Sequence, residues 1–321
     1  MHFAIKRMSF KHKNNKFTYY LLNYFRLMIP QRVYRYFLNN KLAEVKHFDA
    51  VYLKSRVDYY NKIEQNVVLP EDACLLSDFK LGKKCKTYFF DSYEYIRFFD
   101  TKYKACFLFG DVTRVPDRPS IVKSRPIADD NANSVVMKLV KIRHFTFTKD
   151  KYVFVEKKNR LVGRSKIHQP HRARFLEMYY GNPLCDIGNV DPRSKYKQWS
   201  APRLTIDEQL KYKFILCLEG NDVASNLKWV MSSNSVAVMP KPKYETWFME
   251  GTLIPNYHYI LIKDDYSDLE EKINYYVEHT DEALKIIQNA HEYIKPFKNK
   301  KQEDIISFLV LQKYFQKTGQ M

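Results

Sequence analysis

From about residue 151 onward, short apolar runs alternate with segments of helical periodicity. The runs typical of strands lie at residues 152–156, 160–163, 184–190, 214–218, 235–239 and 258–262. The helix-like segments lie at residues 170–179, 222–232, 267–279, 281–294 and 302–316. Strands that alternate with helices indicate a parallel sheet covered on both faces. This pattern predicts an α/β fold for the second half of the chain.

The first half of the chain gives a coarser pattern. The elements expected there are helices at 17–63 and 131–141 and strands at 87–91 and 105–111. A polar break at residues 148–151 separates the two patterns. We therefore predict two α/β domains, residues 1–150 and residues 151–321, with a cleft between them. Ligands of such sheets bind at the carboxyl ends of the strands.

Two short sequence patterns predict where helices begin. Thr205 with Glu208, and Ser267 with Glu270, have the spacing of capping boxes. In such a box, the hydroxyl and the carboxylate satisfy backbone N–H groups at the start of a helix. We expect one short helix after Thr205 and a longer one after Ser267.

The net charge restricts the classes of partner. The chain has 54 Lys and Arg against 36 Asp and Glu, which gives a formal net charge of +18. Such a charge favours anionic partners: nucleic acid, an anionic membrane face or phosphorylated substrates. No nucleic-acid-binding motif is present, and the basic residues are widely spread. A basic nucleic-acid-binding protein nevertheless stays as an alternative of another class.

Cysteine usage and the N-terminus bear on the compartment. The five cysteines are odd in number, widely spaced and without a C-x-x-C pair, which fits a reduced, cytosolic protein. No signal peptide is evident, and the apolar run at residues 17–29 is too short to span a bilayer. That run fits either a surface helix packed on its own domain or a helix lying on an anionic membrane.

Several common phosphate sites are missing from the sequence. None of the eight glycines forms a G-x-G-x-x-G or P-loop pattern, so a standard dinucleotide or ATP site is not expected. No D-x-D triplet or Cys/His cluster occurs, which argues against a metal clamp on a diphosphate. Phosphate chemistry would therefore rely on Arg, Lys and helix ends, without a cofactor.

The stretch at residues 211–238 contains a candidate phosphate site. An apolar strand leads into a turn and an expected helix, whose start is left open by small side chains. Free N–H groups and the dipole at such a start bind anions. The residues of this candidate site are Gly220, Asn221, Asp222, Ala224, Ser225 and Asn226. An ordinary β-turn-α unit is the alternative, and the carboxylates of Glu219 and Asp222 oppose an anion there.

Two other strand ends carry charged residues. Arg164 follows an apolar strand directly, and Lys166 and Arg172 come soon after it. Cations grouped in this way can neutralise a diphosphate leaving group. A solvated basic face is the alternative.

Asp111 follows the apolar run at residues 105–109, where a carboxylate could take a proton from an acceptor hydroxyl. A loop carboxylate or helix cap is the alternative for Asp111.

Aromatic residues near residue 255 form a fourth candidate. Tyr257 and His258 precede an apolar strand, and aromatic faces suit sugar rings or uracil. The alternative is that they pack in the core.

These four stretches, in this order, resemble glycosyltransferase family 90, the capsule-associated-protein type. Within that family the chain is most similar to bacterial LpsA-type lipopolysaccharide core glycosyltransferases. The resemblance is clearest over residues 105–292. It implies a GT-B-like pair of Rossmann-type domains, no metal, and an inverting single displacement from a UDP-sugar.

The resemblance also suggests roles for individual residues. DVTRVP at residues 111–116 matches the family's context for its catalytic aspartate, so Asp111 becomes the candidate base. RSKIHQPHR places Arg164 and Arg172 near the diphosphate, with Lys166 between them. Asp186 becomes a candidate for contacting uridine. The chain departs from the family at Asn226, where several relatives carry an arginine.

The functional hypothesis is a hexosyltransferase that uses UDP-glucose or UDP-galactose. Its acceptor would be an acidic inner-core sugar of lipopolysaccharide or lipooligosaccharide, which fits the net charge of +18. The enzyme would be cytoplasmic and peripheral to the anionic surface of the inner membrane. Capsule or protein O-glycosylation within the same family is the alternative.

Overall fold

The structure, a computed structural model, describes residues 12–321. Within that range the chain forms a four-stranded, a five-stranded and a two-stranded sheet, flanked by helices. The protein is therefore of mixed α/β class with parallel sheets, as the sequence predicts. The basic start of the chain, residues 1–11, lies outside the described residues.

The strands and helices are numbered here in chain order. The strands are β1 (Cys74–Leu75), β2 (Lys104–Leu108), β3 (Ser120–Val122), β4 (Ser124–Pro126), β5 (Ser134–Val136), β6 (Lys158–Ser165), β7 (Cys185–Asn189), β8 (Tyr212–Leu216), β9 (Val236–Met239), β10 (Tyr244–Thr246) and β11 (Ile260–Leu261). The helices are α1 (Lys16–Met28), α2 (Gln31–Tyr36), α3 (Leu38–Ala43), α4 (Ala50–Tyr60), α5 (Lys86–Ile96), α6 (Lys141–His144), α7 (Pro170–Tyr179), α8 (Ile206–Gln209), α9 (Leu227–Val230), α10 (Leu269–Glu278), α11 (Thr280–Lys298) and α12 (Lys300–Lys317).

The first sheet is built from the first half of the chain, in the order β1-β2-β3-β5. Strands β2, β3 and β5 are parallel, and β1 pairs antiparallel with β2. Ile121 and Val122 are both fully buried, and because successive side chains of a strand point to opposite faces, both faces of this sheet are covered. The carboxyl ends of the parallel strands therefore lie at one edge of the sheet.

The second sheet is fully parallel, in the order β11-β9-β8-β6-β7. Successive side chains of its central strands enter two different apolar clusters. Phe214 and Val236 belong to one cluster, whereas Ile215 and Ala237 belong to the other. Since side chains of a strand alternate between faces, both faces of this sheet are buried. This explains why the central apolar runs of the sequence, at residues 214–218 and 236–239, contain no polar side chain.

Two features connect the halves of the chain. Strand β10 pairs antiparallel with β4, which forms the two-stranded sheet. Helix α12 returns to the first sheet, where the hydroxyl of Tyr314 accepts from the N–H of Cys106 at 3.1 Å and donates to the carbonyl of Pro119 at 3.0 Å. No helix within residues 12–321 is long and apolar enough to cross a bilayer.

Most expected elements of the second half are confirmed. Strands β6, β7, β8, β9 and β11 occur at or near the expected positions, whereas β10 was not expected. The helices at 170–179, 281–294 and 302–316 correspond to α7, α11 and α12. The capping box of Thr205 and Glu208 is present with both of its hydrogen bonds.

Three expected elements are wrong. Residues 87–91 belong to helix α5, not to a strand, because helical spacing lets Phe89 stack on Tyr93. Residues 131–141 are not a helix: Ser134–Val136 form β5, since the valines are buried against β3. Residues 152–156 are not a strand, and only a 3₁₀ turn forms at Phe154–Glu156.

Two helix starts also differ from the expectation. The helix expected at 222–232 is reduced to the single turn of α9. The capping box at Ser267 does not form: its hydroxyl and N–H both donate to Asp265, and Asp268 precedes α10 without a side-chain cap. In both cases local turns around Asp or Asn compete with the helix.

Candidate active site

A cavity of about 540 Å³ lies where strand ends from both sheets meet. Asp111 lies after β2, Arg164 and Lys166 at the end of β6, and the segment at 220–226 after β8. The cavity brings together most of the sequence-predicted site residues, namely Asp111, Arg164, Lys166, Arg172, Gly220, Asn221, Asp222, Ser225 and Asn226. This is the location that parallel α/β sheets favour for ligands.

Asp111 is held from two sides. Its Oδ1 atom accepts from Nζ of Lys123 at 2.5 Å, and its Oδ2 atom accepts from Nδ2 of Asn221 at 3.0 Å. Burial raises the pKa of the Asp111 carboxyl, but the hydrogen bonds from Lys123 and Asn221 and the charge of Lys123 outweigh it, so the pKa lies below its usual value. The carboxylate is therefore ionised at neutral pH, and 37% of its side chain stays exposed towards the cavity.

Lys123 is a site residue that the sequence analysis missed. Its amine is almost fully buried and also lies 2.7 Å from Oδ2 of Asp222. Burial lowers the pKa of Lys123, but the charge of Asp222 and the bonds to both carboxylates raise it above its usual value. The available signal was its position directly after the apolar strand β3, the same placement that singled out Asp111.

Three cations that line the cavity form no close ion pair in the described part of the chain. Within residues 12–321, no carboxylate lies within 4.0 Å of the charged groups of Arg143, Lys166 or Arg172. The guanidinium of Arg172 instead donates to the carbonyls of Lys166, Leu218 and Glu219. Burial, followed by the charge of Arg143, lowers the pKa of Arg172 to about 10, so it stays charged at neutral pH.

Arg143 is a second residue that the sequence analysis missed. It belongs to the four-residue helix α6, where no strand end or motif indicated a site. Its side chain is exposed and lines the cavity. Together with Lys166 and Arg172, it adds positive charge to the lining of the cavity.

Arg164 and Asp186 form an ion pair beside the cavity. Nη2 of Arg164 lies 2.5 Å from Oδ1 of Asp186, and its Nε donates to the carbonyl of Pro202 at 2.9 Å. Asp186 also accepts from the hydroxyl of Tyr212 and does not line the cavity. Burial raises the pKa of Asp186, but the hydrogen bonds from Tyr212 and Arg164 outweigh it and lower the pKa.

The segment at 220–226 is a loop instead of a helix start. Asn221 and Asp222 therefore do not cap a helix, and a helix dipole is not available there to bind phosphate. Nδ2 of Asn226 donates to the carbonyl of Leu216 at 2.9 Å. Ser225 lines the main cavity, while Ala224 is buried beside a second cavity of about 350 Å³ that also borders Gly220.

Glu219 lines this second cavity. Its Oε1 atom accepts from the backbone N–H groups of Lys243 and Tyr244. Burial raises the pKa of Glu219 to about 7, because it exceeds the effect of these two N–H groups. Glu219 is therefore a second carboxyl group whose proton affinity suits acid–base chemistry.

Two other polar side chains at the main cavity have unsatisfied atoms. His144 is buried, and its Nδ1 atom has no hydrogen-bond partner among the described residues. Burial, followed by the charges of Lys228 and Lys123, lowers its pKa well below the usual value, so the ring is neutral. Gln169 donates to Oδ1 of Asn221 at 2.9 Å and leaves its own Oε1 unpaired.

Tyr257 and His258 lie away from both cavities. Nδ1 of His258 accepts from the N–H of Ile254 at 2.9 Å, and its ring contacts those of Tyr257 and Tyr293. His258 thus has the environment of a satisfied buried histidine. In the part of the chain that the structure describes, no group of three His, Cys, Asp or Glu side chains lies close enough together to hold a metal ion.

The class of protein follows from comparison with known sequences. Residues 155–317 match the family model described as Glycosyl transferase family 90. The chain belongs to this family, which confirms the resemblance drawn from its sequence, and it is a glycosyltransferase.

Individual relatives extend the match into the first half of the chain. The chain is 43% identical over 263 residues to O-glucosyltransferase LpsA of Dichelobacter nodosus, covering 82% of each protein. It is 30% identical over 153 residues to Uncharacterized protein 179R of Invertebrate iridescent virus 6, covering 40% of this chain and 13% of that protein. It is 26% identical over 167 residues to human Protein O-glucosyltransferase 3, covering 50% of this chain and 32% of that protein.

Proposed function

We propose that this enzyme transfers glucose from UDP-glucose to an inner-core sugar of lipopolysaccharide or lipooligosaccharide, with inversion of configuration. The choice of glucose and of acceptor follows the bacterial relative, which is named an O-glucosyltransferase LpsA. One observation carries the proposal. An ionised carboxylate, Asp111, opens into a cavity that the cations Arg143, Lys166 and Arg172 also line.

The donor would lie across the ends of β6 and β8. Its diphosphate would contact Lys166, Arg143 and Arg172, whose charges stabilise the UDP leaving group without a metal ion or cofactor. Arg164 would reach the diphosphate only after releasing Asp186, which is also the candidate for uridine. The two sheets would then act as the two Rossmann-type domains of a GT-B-like enzyme, with the main cavity as the cleft.

Asp111 would act as the general base. It accepts the proton of an acceptor hydroxyl while the hydroxyl oxygen attacks the anomeric carbon of the donor. The bond from that carbon to the diphosphate oxygen breaks, and UDP leaves with the electron pair. Attack from the face opposite UDP inverts the configuration, so a single carboxylate is sufficient.

The test is transfer by the purified protein in the presence of EDTA. UDP-glucose and UDP-galactose are supplied separately with deacylated core oligosaccharide, and UDP release and the anomeric configuration of the product are measured. We expect acceptor-dependent UDP release from UDP-glucose and an inverted linkage. Failure to release UDP from either donor, with no thermal shift on adding UDP, would contradict the proposal.

Two matched variants identify the base. Asp111→Asn keeps the size of the side chain and is expected to lose turnover by at least a thousandfold while UDP still raises the melting temperature. Glu219→Gln changes the other candidate carboxyl and is expected to retain most of the activity. The reverse result would assign the base to Glu219.

The acceptor and the location are part of the same proposal. A formal net charge of +18 suits an acidic saccharide and peripheral association with the anionic inner membrane from the cytoplasmic side.

Protein O-glucosylation is a second candidate, because the human relative is named Protein O-glucosyltransferase 3. Replacing the oligosaccharide by folded protein acceptors in the same assay distinguishes the two.

A further inference from the structure

Helix α1 has two apolar faces, and only one of them is covered. On the inner face, the hydroxyl of Tyr19 donates to Oδ1 of Asp91 at 2.8 Å, Asn23 is buried, and Arg26 pairs with Glu94 at 2.9 Å. The helix is therefore fixed to α5 by specific contacts. The opposite side remains open to solvent within the described part of the chain.

The exposed side consists of Phe17, Leu21, Phe25 and Met28, which we call the α1 outer face. These residues follow the spacing of one helical stripe. Phe17 is 75% exposed, Phe25 61% and Met28 78%. Exposed apolar residues continue into α2, at Val33 and Tyr36. A contiguous exposed patch of large side chains marks an interaction surface.

The charge around the α1 outer face is of one sign. The first 43 residues of the sequence contain nine Lys and Arg and no Asp or Glu. Lys13, Lys16 and Arg32 are exposed beside the apolar stripe. The acidic residues nearest to α1, Asp91 and Glu94, are engaged at its inner face.

We propose that the α1 outer face docks on an anionic lipid bilayer. Aromatic and aliphatic side chains on one stripe, flanked by cations, are the pattern of a helix that lies in the membrane interface. The side chains enter the boundary between headgroups and acyl chains, while the cations contact lipid phosphates. The inference rests on the proposed membrane association and assigns the surface that carries it; it does not depend on the transferase chemistry.

Docking through α1 also has a consequence for substrate access. A saccharide acceptor attached to a lipid is confined to the membrane surface. An enzyme held there by one fixed helix meets that acceptor at a higher local concentration than it would in solution. Activity on a lipid-linked acceptor in vesicles should therefore depend on the α1 outer face, whereas activity on a soluble acceptor should not.

The experiment is co-flotation of the full-length protein with vesicles. Vesicles of phosphatidylcholine alone are compared with vesicles that also contain phosphatidylglycerol, at low and high salt. We expect binding only with phosphatidylglycerol, weakened by salt because surface charges are screened. The double variant Phe17→Gln with Phe25→Gln should reduce binding at least tenfold.

A control variant separates a specific surface from general hydrophobicity. Val68→Gln with Leu284→Gln removes two exposed apolar side chains elsewhere on the protein and should leave vesicle binding unchanged. Lys16→Gln with Arg32→Gln, which keeps the apolar stripe, should weaken binding and its salt dependence. Thermal melting establishes that each variant is folded.

The outcomes test docking through the α1 outer face separately from transferase activity. Vesicle binding that is insensitive to the Phe17 and Phe25 substitutions would overturn the assignment to α1 but leave membrane association standing. No vesicle binding would overturn both, while transfer to a soluble acceptor would still support the transferase. Concentration-dependent dimerisation that the same substitutions abolish would assign the face to a second copy of the chain instead.

Discussion

The amine of Lys123 contacts Asp111 at 2.5 Å and Asp222 at 2.7 Å, in a position almost closed to solvent. Asp111 follows a strand of the first sheet and Asp222 follows a strand of the second. Tyr88, Arg143 and Asn221 complete the polar surroundings of this group. Lys123 therefore sets both the position and the proton affinity of the proposed base.

Removing the charge of Lys123 should change the pH profile of the enzyme. In Lys123→Met, the pKa of Asp111 should rise, because its main cationic partner is lost and Asp222 repels a second negative charge. Activity falls when Asp111 is protonated. The acidic limb of the pH profile of kcat should therefore move to higher pH.

The matched control for this position is Lys123→Arg. It keeps the positive charge and should keep the acidic limb close to that of the unmodified enzyme. A purely structural role for Lys123 would lower kcat at every pH without moving the limb, and that result would contradict the positioning role.

Substitution of the exposed cations should affect donor binding without affecting folding. Arg143→Gln and Lys166→Gln each remove a charge that has no carboxylate within 4.0 Å among residues 12–321. We expect each to raise the KM for UDP-glucose by roughly tenfold, the effect of one charge-assisted hydrogen bond. Steady-state kinetics provide the measurement. Lys285→Gln, an exposed lysine on α11, is the control, and an equal effect there would indicate general electrostatics.

Sequence reasoning found several site residues near strand ends, but not all of them. Asp111 and Lys166 were identified because charged residues follow an apolar run, and Asn221 because it lies in the turn after one. Lys123 was missed although it directly follows β3. Arg143 was missed because the four-residue helix α6 gives no sequence signal and the strand β5 before it was taken for a helix. The engagement of Arg164 with Asp186 depends on the packing of two neighbouring strands, and one strand's sequence does not show what its charged residue will contact.

Helix α12 is anchored by one buried carboxylate. Oε1 of Glu303 lies 2.8 Å from Arg56 on α4, and its Oε2 lies 2.8 Å from Lys138 and accepts from the indole of Trp247 at 2.6 Å. All of these groups are buried or nearly so. The network therefore joins the last helix to elements from both halves of the chain.

Neutralising this carboxylate should destabilise the protein. Glu303→Gln leaves Arg56 and Lys138 as buried charges without a counterion, which should lower the free energy of unfolding by about 3 kcal/mol or more. Urea denaturation followed by circular dichroism measures this change. Glu292→Gln removes a carboxylate from an exposed pair with Lys295 on α11 and should cost less than about 1 kcal/mol. Similar losses in both variants would argue against the network.

At the scale of elements, the sequence predicts the strands and helices of the second half better than those of the first. Strands β8 and β9 were recognised as short apolar runs, and helices α7, α11 and α12 as longer segments that mix apolar and polar residues. The strand expected at 87–91 failed because a five-residue apolar run fits either a strand or one helical face. In the structure, stacking of Phe89 on Tyr93 and packing of this segment against α1 stabilise the helix rather than the strand.

At the scale of the whole molecule, the two sheets share their largest apolar cluster. Val57 and Ile121 from the first half and Ile215 and Phe248 from the second half belong to it. Arg125 on β4 and Glu245 on β10 form a fully buried ion pair at 2.7 Å across the two-stranded sheet. The two sheets therefore fold around one core. The division of the chain into two domains at residue 150 stays a prediction.

The shared core should make unfolding cooperative. We expect a single calorimetric transition for the full chain, because separating the sheets exposes the apolar cluster and the Arg125–Glu245 pair. A fragment of residues 151–321 should be aggregated or lack tertiary near-ultraviolet dichroism, since α12 would lose the surface on which it packs. Two resolved transitions, or a folded fragment, would show that the second half is an independent domain.

The position of Tyr314 has a consequence for biosynthesis. Its hydroxyl completes the hydrogen bonds of Cys106 and Pro119, so the first sheet lacks these two contacts until α12 leaves the ribosome. At ordinary translation speeds, the nascent strands wait roughly 10 to 40 seconds for that helix. During this interval the apolar surface that packs against α12 is uncovered, and exposed apolar surface of this kind makes a nascent chain prone to aggregation.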